Sequence, residues 1–266
     1  CRDFRFRIFR GQKIMYVSSE GIVLKQVKTA SGRRMVQIFT PEYGLISAGS
    51  GLNERNAKSK SALAIRPFTY SRFELYRGRN YYDINSGEVI RSFYELGENI
   101  DKFVSASIAL ELTAKCLPEE MPQPALFSEL REFLGELEKR SASFETLLLA
   151  YEVKLLSDLG MMPVLDRCAS CGRDEESAFS IRDGGTVCSE CAEKAENKAE
   201  EVHRASLIYR PGFGIVNVLK YFNRKPISAF QKVALDVDTA EELQTIIRGY
   251  IAYHLDVGTL KSESML

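Results

Sequence analysis

The chain has 266 residues, 45% of them hydrophobic and 27% charged, and its formal net charge is zero. That composition is ordinary for a globular protein with a sizeable core, and it excludes a collagen-like or wholly disordered chain. No window approaches eighteen consecutive apolar residues, so no membrane-spanning helix is expected. The neutrality hides an asymmetry: residues 1–95 hold 17 Lys and Arg against 8 Asp and Glu, a net of +9, and residues 96–266 carry −9. A basic first third points to an anionic partner for that part, with nucleic acid the usual candidate.

In chain order, residues 2–10 alternate Arg with aromatic and aliphatic residues and lack the long apolar run of a secretory signal. Residues 1–14 are expected to be a non-native or misannotated leader, with Met15 as the start. Without them the excess over residues 15–95 is +5. Residues 20–92 then read as strands. Residues 21–27 form a β-branched apolar run, residues 34–40 alternate, and Pro41-Glu42-Tyr43-Gly44 supplies a turn into residues 45–48. Residues 67–76 form a longer alternating strand, and Arg77-Gly78-Arg79-Asn80 turns into residues 81–84. Five or so short strands in this span suggest a small barrel, with the OB-fold among the candidates. Residues 53–61 read as a basic loop, and Lys25, Arg34, Lys58 and Lys60 are the candidate phosphate contacts, within a wider set including Lys28, Arg33, Arg66, Arg72, Arg77 and Arg79. Of Tyr43, Tyr70, Tyr76, Tyr81 and Tyr82, one or two are expected to be exposed for stacking on bases.

From about Leu96 the apolar period changes from two to 3.6. Ile100, Phe103, Val104, Ile108 and Leu112 mark one helix, and Pro118, Pro122 and Pro124 punctuate a connection. Phe127, Leu130, Phe133, Leu134 and Leu137 mark a second helix. A third carries Phe144, Leu147, Leu148, Tyr151, Leu155 and Leu159 and ends near Gly160. Helical patterns resume at 205–222 and 239–257. The charged run 194–201 is a solvated helix face or a linker.

Between these helices sits the most specific motif, Cys168-x2-Cys171-x16-Cys188-x2-Cys191. A two-residue gap lets both sulfurs of one turn reach a single ion, and the second pair closes a tetrahedron. Gly172 suits a knuckle turn, and Asp183-Gly184-Gly185 reads as a hairpin turn joining residues 179–181 to 186–187. Four thiolates leave no open coordination position, so one structural Zn²⁺ is expected rather than a catalytic one. The competing readings are two disulfides, an iron–sulfur cluster or a redox motif; two disulfides conflict with the sparse, reducing-compartment usage of six cysteines, and a redox motif does not require a second pair. No P-loop, HExxH or GxSxG occurs, and the two histidines, His203 and His254, read as an exposed residue and a packing residue. Gly212-Phe213-Gly214 reads as a loop or helix start. No enzyme is expected.

Taken in order, residues 21–25, 36–46, Arg66-Pro67-Phe68-Thr69, 73–79 and Leu155-Leu156-Ser157-Asp158-Leu159-Gly160, with Pro163 and Cys168-Ala169-Ser170-Cys171-Gly172, resemble the bacterial RecO family of recombination mediators. The resemblance implies an α+β protein: an N-terminal OB-fold β-barrel, then an all-helical domain with an inserted four-cysteine zinc module. The expected bounds are 15–92 for the barrel, 93–165 and 195–266 for the helical parts, and 166–194 for the module. It also implies binding of single- and double-stranded DNA, strand annealing, and help in loading RecA with RecR on DNA coated by single-strand-binding protein, whose acidic tail is recognised. A cytoplasmic setting without membrane contact goes with it. Residues 48–54 are less Arg-rich than the family's loop. The rival reading is a zinc-stabilised protein-interaction scaffold with incidental DNA contact.

Overall fold

The computed structural model describes residues 5–9, 12–30, 33–50, 60–79, 81–201, 207–212 and 214–265. The chain divides into two compact units, residues 1–139 with 260–266, and residues 140–259.

The first unit begins with β1 (Arg5–Phe9), β2 (Gln12–Lys28), β3 (Arg34–Thr40) and β4 (Gly44–Ser50). A short helix α1 (Lys60–Ala64) follows, then β5 (Thr69–Arg77) and β6 (Tyr82–Ser92). The strands run β1-β2-β3-β4-β6-β5, and β2 also pairs with β5. That second pairing closes β2 to β6 into a five-stranded barrel. β4 and β6 pair in parallel while the remaining pairs are antiparallel. This order, with a helix between the third and fourth barrel strands, is the OB-fold. The inward residues of each strand supply the core: Val17, Val23, Val36, Ile38, Ile46, Phe73 and Leu75, with Ala64 and Ile65 from the end of α1 packed among them. β2 and β6 run longer than their apolar patterns suggest, because β2 pairs in succession with β1, β5 and β3 and β6 pairs with β5 along most of its length, which keeps their backbone groups satisfied beyond the apolar residues. β1 pairs residue for residue with Gln12–Tyr16.

Gly44 ends the turn between β3 and β4 at φ +69, where a side chain would run into the backbone of Met121. The expected loop residues Lys60 and Ser61 instead open α1, and residues 51–59 lie outside the described residues.

A 3-10 turn, Tyr94–Glu98, leads into α2 (Ile100–Cys116) and α3 (Pro124–Lys139). The Asn99 side chain caps α2 by accepting the Lys102 N–H at 3.0 Å. Pro124 is the first residue of α3, a position where its missing N–H costs nothing. Both helices pack on the barrel's outer face through aromatic contacts: Phe39 to Phe127 at 5.5 Å, Tyr70 to Phe127 at 6.0 Å and Phe68 to Phe103 at 5.6 Å. Residues 260–265 return to this unit. Leu260 is buried, and the Glu111 carboxylate on α2 accepts the N–H groups of Lys261 and Ser262 and the Ser262 hydroxyl, at 3.0, 2.9 and 2.8 Å. Burial opposes ionisation of Glu111, yet these donors hold its carboxyl down at about 2.

The second unit is built on α4 (Phe144–Asp158). The expected apolar stripe is there, but the helix is buried well beyond one face: Thr146, Leu149, Ala150, Glu152 and Val153 are buried too. Glu152 is fully buried and pairs with Arg248 at 2.5 Å. Arg140 is also buried and donates to the carbonyls of Ala142, Ser143, Phe230, Gln231 and Val233, which satisfies its charge without a carboxylate. Two further helices, α6 (Ile215–Arg224) and α7 (Val237–His254), pack on α4. The helical expectation for 205–222 is corrected at its start. Ile208–Tyr209 pair as a short strand, and Gly214, at φ +101, caps α6 just before Ile215.

Candidate metal centre and candidate nucleic-acid interface

The cysteine module consists of a knuckle, a hairpin and a helix. The knuckle, residues 168–172, is closed by the Gly172 N–H to the Cys168 carbonyl at 2.8 Å, with Gly172 at φ +80. The Cys171 N–H lies 3.4 Å from the Cys168 sulfur. The hairpin pairs β7 (Ala178–Ser180) with β8 (Gly185–Val187), and β9 (Ile208–Tyr209) adds to the far side of β7. The turn is residues 181–184, so Asp183 and Gly184 lie in it as expected while Gly185 opens β8, and the Ser180 hydroxyl donates to Asp183 at 2.5 Å. Cys188 follows β8 directly and Cys191 lies in the first turn of α5 (Ser189–Glu201). The second pair therefore comes from a helix N-terminus rather than a second knuckle. There the exposed N–H groups and the helix dipole favour negative sulfur. The charged run 194–201 is the body of α5.

These elements bring the four sulfurs of Cys168, Cys171, Cys188 and Cys191 within 4.8 Å of one another. Cys168 and Cys188 are buried, Cys191 is half-buried and Cys171 is exposed. The Cys171 and Cys188 sulfurs are 3.7 Å apart, well beyond a disulfide bond. Four thiolates about 2.3 Å from one tetrahedral ion would be spaced by about 3.8 Å, so the cluster fits a single four-sulfur metal site. The thiols also compete for charge. Burial works against ionisation of Cys168, but the N–H groups of Cys188, Cys171 and Ser170 bring it down to about 6. Cys191, crowded first by the Cys188 sulfur and then by burial, is pushed up to about 12. A divalent cation among the four would remove that competition.

The module's own apolar core is small. Cys168, Ala178, Val187, Cys188 and Ala192 form it, with Cys191 and Ile208 at its edge. Two of its five buried residues are themselves metal-ligand candidates, so little would hold the knuckle to the hairpin once the sulfurs were free.

The four candidate DNA contacts are less concentrated. Lys25 is exposed on β2 and lies opposite Gln37. Arg34 is half-buried at the start of β3 and lies opposite Lys28. Three residues separate Lys25 from Lys28 and Gln37 from Arg34, so the strand alternation puts Lys25 and Arg34 on opposite faces of the sheet. Lys60 opens α1, and Lys58 lies outside the described residues. Part of the wider basic set is neutralised. Arg33 pairs with Asp83, Arg72 with Glu20 and Arg77 with Glu120. Lys28, Arg66 and Arg79 remain exposed, with no carboxylate partner among the described residues. Among the five tyrosines only Tyr81 is exposed, at 45%, while Tyr70 and Tyr82 are buried.

Sequence reading missed a groove of about 500 Å³ on the first unit, which Lys25 lines together with Phe68, Leu110, Lys115 and Lys261. Its residues come from β2, the segment before β5, α2 and the returning C-terminal segment, a combination with no local sequence signal. Phe68 projects there from a backbone at φ +63, held by its N–H to the Val23 carbonyl and its own carbonyl to the Phe93 N–H. Of the histidines, His254 is a packing residue as expected. Its Nε2 lies 2.6 Å from the Ile181 carbonyl and its ring stacks on Tyr250 at 4.3 Å. His203 lies outside the described residues.

Comparison with known proteins divides the chain near residue 95, ahead of the boundary between the two compact units. Residues 15–93 match the family model "Recombination protein O N terminal", and residues 97–264 match "Recombination protein O C terminal". A protein of Alkaliphilus metalliredigens named DNA repair protein RecO is 31% identical over 245 residues, covering 91% of this chain and 95% of the relative. Proteins of the same name from Caldanaerobacter subterraneus and Bacillus pumilus are 29% and 30% identical, over 91% and 89% of this chain and 94% and 88% of theirs. With both halves of its length matched in order, the chain belongs to the RecO family of DNA repair proteins.

Proposed function

We propose that this protein is a non-catalytic DNA-binding mediator of recombinational repair. It binds single- and double-stranded DNA, anneals complementary strands, and assists RecA loading together with RecR on DNA coated by single-strand-binding protein, whose acidic tail it engages. The observation that carries the reading is the closed barrel with the OB-fold strand order at the basic end of a chain of this family. Such barrels track nucleic-acid backbones with cations and stack bases on aromatic rings. Lys25, Arg34, Lys58 and Lys60 are the proposed phosphate contacts, with affinity set by phosphate neutralisation and only weakly by sequence. Cys168, Cys171, Cys188 and Cys191 are the proposed ligands of one structural Zn²⁺, an ion suited to a closed four-thiolate shell. A cytoplasmic setting keeps those thiolates reduced.

Fluorescence anisotropy with labelled oligo-dT and a matching duplex, at two salt concentrations, tests the reading alongside an annealing assay. Tight binding that weakens steeply with salt is expected. Charge reversal at Arg34, Lys58 and Lys60 together should abolish most of it. Affinity that survives the triple variant would show that the proposed surface is wrong. Elemental analysis of the purified protein should return one zinc per chain.

A further inference from the structure

A second cationic surface lies in the other unit. A cleft of about 510 Å³ runs between the loop that leads into the knuckle, residues 162–167, and the C-terminal half of α6. Its charged lining is Arg167, Lys220 and Arg224 against one carboxylate, Asp166. The surroundings make this unusual, since residues 140–259 hold 14 Lys and Arg against 18 Asp and Glu. Lys220 and Arg224 are four residues apart on α6 and so share one face. Lys220 is fixed by Asp166 at 3.2 Å and Glu176 at 2.9 Å. Arg167 and Arg224 are exposed and meet no carboxylate among the described residues.

The loop carrying Arg167 is held rigidly. The Val164 N–H donates to the Gly184 carbonyl at 2.9 Å, and the Val164 carbonyl accepts the Thr186 N–H at 2.8 Å. The Thr186 hydroxyl donates to the Arg167 carbonyl at 2.9 Å, and Arg167 directly precedes the buried Cys168. Guanidinium groups on a fixed backbone lose less freedom when they bind phosphate, and their fork geometry matches its oxygens.

We propose that this cleft binds the phosphate backbone of a nucleic-acid strand, through Arg167 and Arg224, as a site separate from the barrel. The proposal rests on the DNA-binding reading above. It gives the protein two cationic surfaces in one chain, one in each unit.

The test compares the full chain with the double variant Arg167→Glu/Arg224→Glu, using labelled oligo-dT across a salt series. A second double variant, Lys198→Glu/Lys232→Glu, makes the same change in net charge at exposed residues outside the cleft. Circular dichroism and metal content establish that both variants fold. For the cleft variant, affinity should fall roughly tenfold at moderate salt. The slope of log affinity against log salt should become shallower by about 1.4, the loss of two single-strand phosphate contacts. The control should move far less. Equal losses in the two variants, or an unchanged cleft variant, would overturn the site while leaving the barrel reading intact. A wild-type chain that binds no oligonucleotide would overturn the reading on which the site rests.

Discussion

The barrel and the cysteine module are held together in opposite ways. The barrel encloses a dozen buried core residues drawn from five strands and a helix, so its stability is spread over many apolar contacts. The cluster around the module's cysteines has only five buried residues, small or sulfur-bearing, so its integrity leans on the four candidate thiolate ligands. A distributed core tolerates the loss of one member, whereas a concentrated one does not.

Removing one thiolate should therefore have the largest effect, but a local one. Cys171→Ser should abolish binding of the proposed structural zinc and unfold the knuckle and hairpin, because such an ion contributes about 10–16 kcal/mol to small modules of this kind. The barrel's thermal signature should persist. Elemental analysis with limited proteolysis checks this, and cleavage inside the barrel would break the contrast. Within the barrel, Phe73→Ala deletes a fully buried ring and should cost about 3–5 kcal/mol in a denaturant titration while leaving the metal bound.

A third variant asks whether a single polar contact can matter as much as a core ring. Arg248→Met leaves the fully buried Glu152 without its partner and should cost about 3–5 kcal/mol, while Glu152→Leu with Arg248→Met should recover most of that loss. Calorimetry of the single and double variants decides it.

The smallest effect concerns Glu111. Its folded pKa lies near 2, below the 4.5 of a free carboxyl. The contribution is present above pH 4.5 and is lost as pH falls toward 2. Glu111→Gln should cost about 1 kcal/mol at neutral pH and flatten acid sensitivity in that window, as read by hydrogen exchange at Lys261 and Ser262. An unchanged acid profile would show that Glu111 is not the group that holds this segment.

The same contrast explains what the sequence makes legible. The cysteine spacing points to the candidate metal site, whose four sulfurs the fold brings together, and the hairpin turn that holds Asp183 and Gly184 follows from the glycines there. The barrel strands are visible through alternation, although β2 and β6 run on where pairing rather than apolarity sustains them. Burial well beyond one face of α4 is not legible, because Glu152 and Lys154 look like solvent-facing residues until Arg248 and the Asn223 carbonyl are found beside them. Nor is the separation of Lys25 from Arg34. Both are cations in neighbouring strands, and only the pairing register shows that they face opposite ways. The family resemblance supplied the order of the domains. The cleft at Arg167 and Arg224 joins residues 57 positions apart, which only the fold brings together.

The returning segment at Leu260–Ser262 also bears on how the molecule is made. The ribosome delivers α2 more than a hundred residues before the partners that Glu111 holds, so these contacts of the first unit cannot form until residue 262 has emerged. Domains usually mature in the order of their synthesis, N-terminal first. Here the second unit can finish before the first, and a nascent chain stalled anywhere before residue 260 leaves the Glu111 carboxylate on α2 without the donors of Lys261 and Ser262. Premature termination late in the message should therefore register as damage to the part of the protein encoded earliest.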